Sequence, residues 1–261
     1  MDNATYPVLL ITGTIQVDTN MPFVSIRDID ARLKAYFETI KWAIEKSPFY
    51  KIVFCENSEY HLQYVQMDSM AETRNKRFEY ITFRGDKEKI IKQGKGYGEG
   101  ELISYALENS QLLKHADYFC KITGRISVEN INSCIREIRN YFMNVEGEKK
   151  ISTCLYCVKI LDYKKIFREV YKEVDDENGL YLEHVFYKKA KEKRFHYRCF
   201  YELPLLKGIS GSTGISYEEK RRLRTIKIIN LMCRLNVYNT EILWYVIRKV
   251  SAIRVKMRKV E

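Results

Sequence analysis

Short runs of β-branched and other apolar residues recur along the first 160 residues of this chain, and stretches of helical periodicity separate them. Residues 6–17, 51–55, 79–83, 118–122 and 152–160 read as strands, the first broken at Gly13. Between the first two, Ile29, Leu33, Tyr36, Phe37, Ile40 and Ile44 recur at helical spacing over residues 25–45. Asp28 or Ser25 stands where that helix would be capped, and Pro48 ends it. Further helices are expected over 101–113 and 131–142. The alternation predicts an α/β fold, a Rossmann-like, mostly parallel sheet with helices on both faces. At 261 residues the chain can hold one such domain with an appendage.

Sheets of this kind bind ligands beyond the carboxyl ends of their strands. That rule gathers Thr14, Glu56, Asn57, Arg84, Asp86 and Thr123-Gly-Arg125 along one edge. Lys92-Gln-Gly-Lys-Gly-Tyr-Gly-Glu-Gly-Glu101 is expected to lie over it as a glycine-rich loop, with glycine at every second position from Gly94 to Gly100. Backbone amides around Gly96 and Gly98, a helix start and Lys95 together suit a phosphate. Glu99 and Glu101 near that helix start agree with its dipole. The stretch has neither the GKS/T of a Walker A sequence nor the GxGxxG order after a first strand, so a plain surface turn competes with this reading. Lys121 and Arg125, on and just beyond the fourth strand, fit either a diphosphate clamp or pairing with structural carboxylates.

Later in the chain, helices are expected over 163–174 and 181–191, flanking the acidic turn Asp175-Asp-Glu-Asn-Gly179, and a strand ends near Pro204. Glu183-His184 falls early in the second of these helices. Glu183 could act there as a general base toward an acceptor hydroxyl, or serve only the helix dipole. Gly208-Ile-Ser-Gly-Ser-Thr-Gly214, which contains Ser210, suits a lid or a linker. The seven cysteines lie mostly in apolar runs and are expected to be reduced core residues. Cys154-Leu-Tyr-Cys157 has no second pair spaced for zinc, and the histidines show no ligand spacing. An Asp-x-Asp to hold Mg²⁺ or Mn²⁺ is missing after the fourth strand, which reads Thr123-Gly-Arg125. No metal site and no cofactor are therefore expected, and metal-independent chemistry is favoured without excluding Mg or Mn.

The hydrophobic content of 46% with 30% charged residues is that of a globular chain. The net charge of +11 is concentrated at one end: residues 220–261 carry twelve Lys or Arg against two Glu, or +10, and the rest of the chain carries +1. Segments 217–235 and 240–259 read as basic amphipathic helices, an extension (217–261) added to a domain at 1–216. That composition suits an anionic membrane surface, and packing on the domain is the alternative. Nucleic acid is disfavoured, because no recognised binding motif accompanies the charge. Met1-Asp-Asn-Ala-Thr lacks a basic n-region, and the run 242–247 falls far short of the ~20 apolar residues of a membrane span. A cytoplasmic protein, peripheral on the inner face of the cell membrane, is expected.

Taken together, Ile11-Thr-Gly-Thr14, Phe54-Cys-Glu-Asn-Ser58, Lys95-Gly-Tyr-Gly-Glu99, Phe119-Cys-Lys-Ile-Thr-Gly-Arg125, Leu182-Glu-His184 and Gly208-Ile-Ser-Gly-Ser212 resemble small bacterial glycosyltransferases of capsule, O-antigen or lipooligosaccharide assembly. The resemblance spans about residues 6–215 and leaves out the tail. It implies a GT-A-like nucleotide-sugar fold and transfer of a sugar, from a UDP-sugar in the first instance, to a lipid-linked or growing glycan. On that reading Glu56 and Asn57 meet the base or ribose, Lys95, Gly96, Gly98 and Arg125 hold the diphosphate, and Lys121 and Thr123 orient the sugar. Glu183 deprotonates the acceptor if the reaction inverts, and Thr14, Asp86, Glu99, His184 and Ser210 line the same cleft. The missing Asp-x-Asp departs from the usual GT-A arrangement. A non-catalytic nucleic-acid-binding protein and another nucleotide-dependent transferase, such as a nucleotidyltransferase, are the competing functions.

Overall fold

The computed structural model describes residues 6–18, 21, 24–135, 143–147, 149–211, 214–218 and 223–247. Its elements run β1 (Val8–Gly13), α1 (Ile29–Lys46), β2 (Lys51–Glu56), α2 (Val65–Glu72), β3 (Arg77–Thr82), α3 (Lys87–Gln93), α4 (Lys95–Asn109), α5 (Gln111–Lys114) and β4 (Tyr118–Thr123). Then follow β5 (Ile126–Val128), α6 (Ile131–Cys134), β6 (Leu155–Lys159), α7 (Ile160–Ile166), a 3₁₀ turn at Val170–Glu173, α8 (Leu182–Glu192), β7 (Leu206–Gly208) and α9 (Leu223–Arg234). A short helix over 241–247 closes the described chain.

The central sheet has the order β3-β2-β1-β4-β6, with the first four strands parallel and β6 antiparallel to β4. Successive strand residues face opposite sides. Leu9, Ile11, Ile52 and Phe54 meet Tyr36, Ile40 and Ile44 of α1, while Leu10, Val53 and Phe119 meet Leu102, Ile103 and Phe186 from α4 and α8. Burial on both faces explains why the strands read as unbroken apolar runs. The chain turns one way from β1 to β2 and the other way from β1 to β4, so a crevice opens at the carboxyl ends of β1 and β4.

The glycine-rich stretch is not a loop. Lys95 opens α4, and Gly96, Gly98 and Gly100 lie in its first two turns, with Gly94 at φ +103° as the joint from α3. Three helical glycines cost on the order of 2–3 kcal/mol of propensity. Packing offsets this, because a Cβ at Gly100 would stand 2.1 Å from Tyr171 Cβ, and one at Gly96 3.0 Å from Leu182 Cβ. The glycines let α4 lie close against its neighbours.

Other expectations are also revised. The helix expected over 163–174 divides into α7 and the 3₁₀ turn, α2 had no counterpart, and β7 pairs with β5 in a two-stranded sheet instead of a strand ending near Pro204. Residues 136–142, the later part of the helix expected over 131–142, lie outside the described residues. A disulfide joins Cys120 to Cys157, which face each other across β4 and β6, so these two cysteines are not reduced. The described tail lies against the domain: Ile229, Met232, Leu243 and Trp244 pack on buried Cys199, Cys233 and Tyr238. Asn230, Asn236 and Asn239 accept from the backbone amides of Leu203, Cys199 and Val145 at 2.9, 3.2 and 2.9 Å. Residues 248–261 are outside the described chain.

Candidate functional site

At the exits of β1 and β2, Thr14 Oγ1 donates to Asn57 Oδ1 at 2.6 Å, and the Asn57 backbone N–H donates to the Gly13 carbonyl at 3.3 Å. From α1, Tyr36 both accepts from Thr14 N (2.9 Å) and donates to Thr14 O (3.0 Å), while buried Arg32 donates Nε to the same carbonyl at 2.8 Å. Thr14 is thereby fixed over the sheet edge. Glu56 is fully buried and turned into its own loop. Its carboxylate accepts from Ser58 N (2.8 Å), Ser58 Oγ (2.5 Å) and Tyr60 N (2.7 Å), and from the Thr82 hydroxyl. It shapes the loop after β2, next to buried Asn57. Asp86 caps α3, binding Lys89 N at 3.1 Å and Lys89 Nζ at 2.9 Å.

The cationic side is built around Arg125. Gly124 ahead of it presses on β1, since a Cβ there would stand 2.6 Å from Thr12 O. Arg125 itself adopts φ +68°, a costly conformation for a residue with a Cβ. Its guanidinium carbon lies 5.9 Å from the centre of the Tyr36 ring, and Nε and Nη1 are buried without a hydrogen-bond partner. Lys95, at the start of α4, donates Nζ to Gly211 O at 3.2 Å, while its backbone N donates to Asp176 Oδ2 at 2.9 Å. Burial lowers the Lys95 pKa to about 8; Asp176 opposes that shift, and Arg125, Arg32 and Arg27 add to it. Positive charge is therefore concentrated beyond the ends of β1 and β4. A half-buried guanidinium with two unsatisfied nitrogens, beside a lysine held below its usual range, is an arrangement that an anion would relieve.

The segment carrying Ser210 crosses this region. Ser25 donates from N and Oγ to Gly211 O at 3.3 and 3.2 Å, and from Oγ to Ser210 O at 3.1 Å. Gly208 and Gly214, at φ +126° and +68°, form its bends.

Opposite the cations stands a network of carboxylates around Lys121, which is 0% exposed. Lys121 Nζ donates to Glu99 Oε1 (2.6 Å), Thr123 Oγ1 (2.7 Å) and Thr153 O (2.6 Å), so all three protons are used inside the protein. Thr153 Oγ1 donates to Glu183 Oε1 at 2.8 Å. Glu183 lies in the first turn of α8, and the adjacent His184 is a cap, its Nδ1 accepting from Tyr181 N at 3.1 Å. Burial holds the Glu99 carboxyl above the usual range despite Lys121, and burial likewise raises Asp176, which is also near Glu183.

The structure thus brings Thr14, Asn57, Lys95, Glu99, Lys121, Thr123, Arg125, Glu183 and Ser210 to one end of the sheet, with Glu56, Asp86 and His184 engaged in local structure. Gly96 and Gly98 pack within α4's contacts. Arg32 and Thr153 were missed, and Asp176 was read only within the acidic turn after the helix expected over 163–174. Arg32 and Tyr36, four residues apart on an otherwise apolar helix face, carried a readable signal for the first. Thr153 had none. Among the described residues no group of three or more His, Cys, Asp or Glu is arranged to hold a metal ion.

No family model matches the sequence, and no curated protein matches it. Solved structures with a similar course of chain include a protein assigned as a nucleotide-diphospho-sugar transferase from Desulfovibrio desulfuricans G20, at 10% identity and TM-score 0.41, covering 74% of this chain and 78% of that one. A protein assigned as a glucose-1-phosphate thymidylyltransferase from Bacillus anthracis, in complex with a sucrose, matches at 12% identity and TM-score 0.38, over 87% of this chain and 95% of that one. A nucleoside-diphosphate-sugar pyrophosphorylase from Vibrio cholerae RC9 matches at 12% identity and TM-score 0.33, over 71% and 88%.

Proposed function

We propose that this chain is a glycosyltransferase that moves a sugar from a nucleotide-diphosphate sugar, in the first instance a UDP-sugar, to a hydroxyl of a lipid-linked or growing surface glycan. One observation carries the reading: a guanidinium whose Nε and Nη1 are buried without hydrogen-bond partners, beside Lys95, at the carboxyl edge of a mostly parallel sheet. Arg125 and Lys95 hold the diphosphate and offset the charge that develops on it as the glycosidic bond breaks. Asn57 and Thr14 meet the nucleoside, and Glu56 acts indirectly by shaping their loop. Lys121 and Thr123 act from beneath the sugar as positioning residues. In an inverting transfer Glu183 takes the acceptor's proton, the freed oxygen attacks the anomeric carbon, and the electron pair of the broken bond leaves with the diphosphate.

The residues after β4 do not suit a metal held by an Asp-x-Asp, so no step is routed through one. A lipid-linked acceptor is met at a bilayer, and the reading includes peripheral attachment to the inner face of the cell membrane through the tail. Ile228, Leu231, Leu235 and Ile242 face outward there, 58–77% exposed, in a segment rich in Lys and Arg. No helix among the described residues is long and apolar enough to cross a membrane.

Thermal-shift screening of the full chain against UDP-, GDP-, CMP- and dTDP-sugars, with and without Mn²⁺, tests the reading. Stabilisation by one nucleotide class that is lost in Arg125→Ala is expected. Indifference to every nucleotide, together with nucleic-acid binding lost on neutralising tail lysines, would establish the binding-protein alternative instead.

A further inference from the structure

The Gly211 carbonyl lies among the groups that the transfer scheme assigns to the diphosphate, and more donors point at it than it has lone pairs for. Lys95 Nζ reaches it at 3.2 Å, Ser25 Oγ at 3.2 Å and Ser25 N at 3.3 Å. A carbonyl oxygen has two lone pairs, and all three contacts are longer than the usual ~2.7–3.0 Å. The Ser25 hydroxyl also divides its one proton with Ser210 O at 3.1 Å. Gly211 stands against the guanidinium as well, since a Cβ there would lie 2.7 Å from Arg125 Nη2. Donors from two separate segments thus converge on one oxygen, beside an arginine whose Nε and Nη1 have no partner.

We propose that the Gly211 carbonyl holds the place of a phosphoryl oxygen, and that Ser25 joins Lys95 and Arg125 as a donor to the bound anion once that carbonyl withdraws. The proposal rests on the reading of this crevice as a nucleoside-diphosphate site. A phosphoryl oxygen carries charge and three lone pairs, so it accepts all three donors and shortens each bond. Ser25 brings both its backbone N–H and its hydroxyl to the same point. In the free protein the carbonyl keeps these donors occupied, and the anion binds the withdrawn form, so its apparent affinity falls by the fraction withdrawn.

The segment is built to give up this contact without losing its own shape. Its base is fixed: Gly208 pairs with Ile126 of β5, Tyr217 N donates to Gly208 O at 3.1 Å, and the Tyr217 hydroxyl lies 3.5 Å from Cys154 Sγ. Ser210 N donates to Ile215 O and Gly214 N to Ser210 O, at 3.0 Å each, so the turn holds together without Ser25 or Lys95. Gly208, at φ +126°, is the joint between base and turn, in a conformation that a residue with a Cβ rarely takes. On the other side Ser25 is exposed and lies two residues before Arg27, whose guanidinium is tied to Asp18 O and Met21 O at 3.1 and 2.7 Å. Arg27, Arg32 and Arg125 all act on Lys95, so an anion gains more at this point than a neutral carbonyl does.

The displacement can be read without turnover. Gly211-Ser212 is the only Gly-Ser pair in the sequence, so labelling the full chain with ¹³C at glycine carbonyls and ¹⁵N at serine singles out the Gly211 carbonyl resonance. Ser25→Ala in the free protein gives the direction in which it moves when a hydrogen bond to it is lost. Saturating UDP and saturating inorganic pyrophosphate should each move it in that direction, because both carry a diphosphate. By calorimetry Ser25→Ala should weaken UDP about 3- to 10-fold and pyrophosphate by the same factor, with Ser25→Thr within ~2-fold of wild type, since a charge-assisted bond is lost from the complex and only shared neutral ones from the free protein. UDP bound with the Gly211 resonance unmoved overturns the place-holder and leaves the diphosphate reading standing. UDP affinity unchanged or higher in Ser25→Ala overturns the assignment of Ser25 as a donor. Failure of both UDP and pyrophosphate to bind overturns the diphosphate reading itself, and this proposal with it.

Discussion

The two sides of the crevice solve the problem of buried charge in opposite ways. On the carboxylate side every proton of Lys121 is taken by Glu99, Thr123 and Thr153, and the assembly is fixed before any ligand arrives. On the cationic side Arg125 is held in a left-handed conformation with two buried nitrogens unbonded, and Lys95 is desolvated next to further arginines. A satisfied buried pair contributes order, whereas an unsatisfied one stores a cost that a ligand can remove. The first region should therefore report on folding when it is altered, and the second on binding.

The largest effect should come from the satisfied side. Lys121→Met leaves the half-buried Glu99 without its cation and should cost about 2–4 kcal/mol of stability, read by denaturant unfolding. Adding Glu99→Gln should recover a good part of that loss, and strict additivity of the two changes would mean that the pair is not a unit. Next comes Arg125→Met, which should reduce turnover by about 10²–10³-fold while unfolding no earlier than wild type, because it removes two buried, unsatisfied nitrogens. A parallel loss of stability would erase the contrast between the two sides.

Gly100→Ala bears on both sides at once, since α4 carries Lys95 and Glu99. Its methyl group would meet Tyr171, and a cost of about 1–3 kcal/mol is expected from thermal unfolding. The smallest effect is a proton count. Lys95 titrates near 8 when folded, against 10.5 as its ordinary value. Between those pH values the unfolded chain binds more protons, so stability should rise with pH across that window. A phosphate ligand favours the charged form, so binding of UDP at pH 8–9 should take up a fraction of a proton. Calorimetry in two buffers of different ionisation enthalpy reads it, and Lys95→Met should abolish it.

How much of this could be read beforehand differs between the two sides. The strand exits at Thr14, Asn57 and Thr123 followed from runs whose burial on both faces makes them apolar throughout. Arg125 followed from its place just past one of them. The alternate glycines misled, because their local preference is for a loop, and only the neighbours Tyr171, Val174 and Leu182 make a helix worth its cost. Glu56 looked like a ligand, but its carboxylate is taken up by Ser58 and Tyr60 in the loop after β2 and by Thr82 on β3, partners that no spacing in the sequence indicates. Thr153 was illegible, since nothing in its neighbourhood along the chain indicates that Lys121 and Glu183 meet there.

The reversed direction of β6 has a consequence for how such a crevice can change. Because Cys154 O accepts from Thr123 N at 2.9 Å, the residues that precede β6 share an edge with those that follow β1, β2 and β4. Insertions or substitutions at 152–154 therefore act on the crevice directly, although they enter a strand instead of leaving one. The residues that immediately follow β6, at the start of α7, lie at the far end of the sheet and can vary without reaching it. A library meant to alter what this crevice accepts should be placed ahead of that one strand and behind the other three.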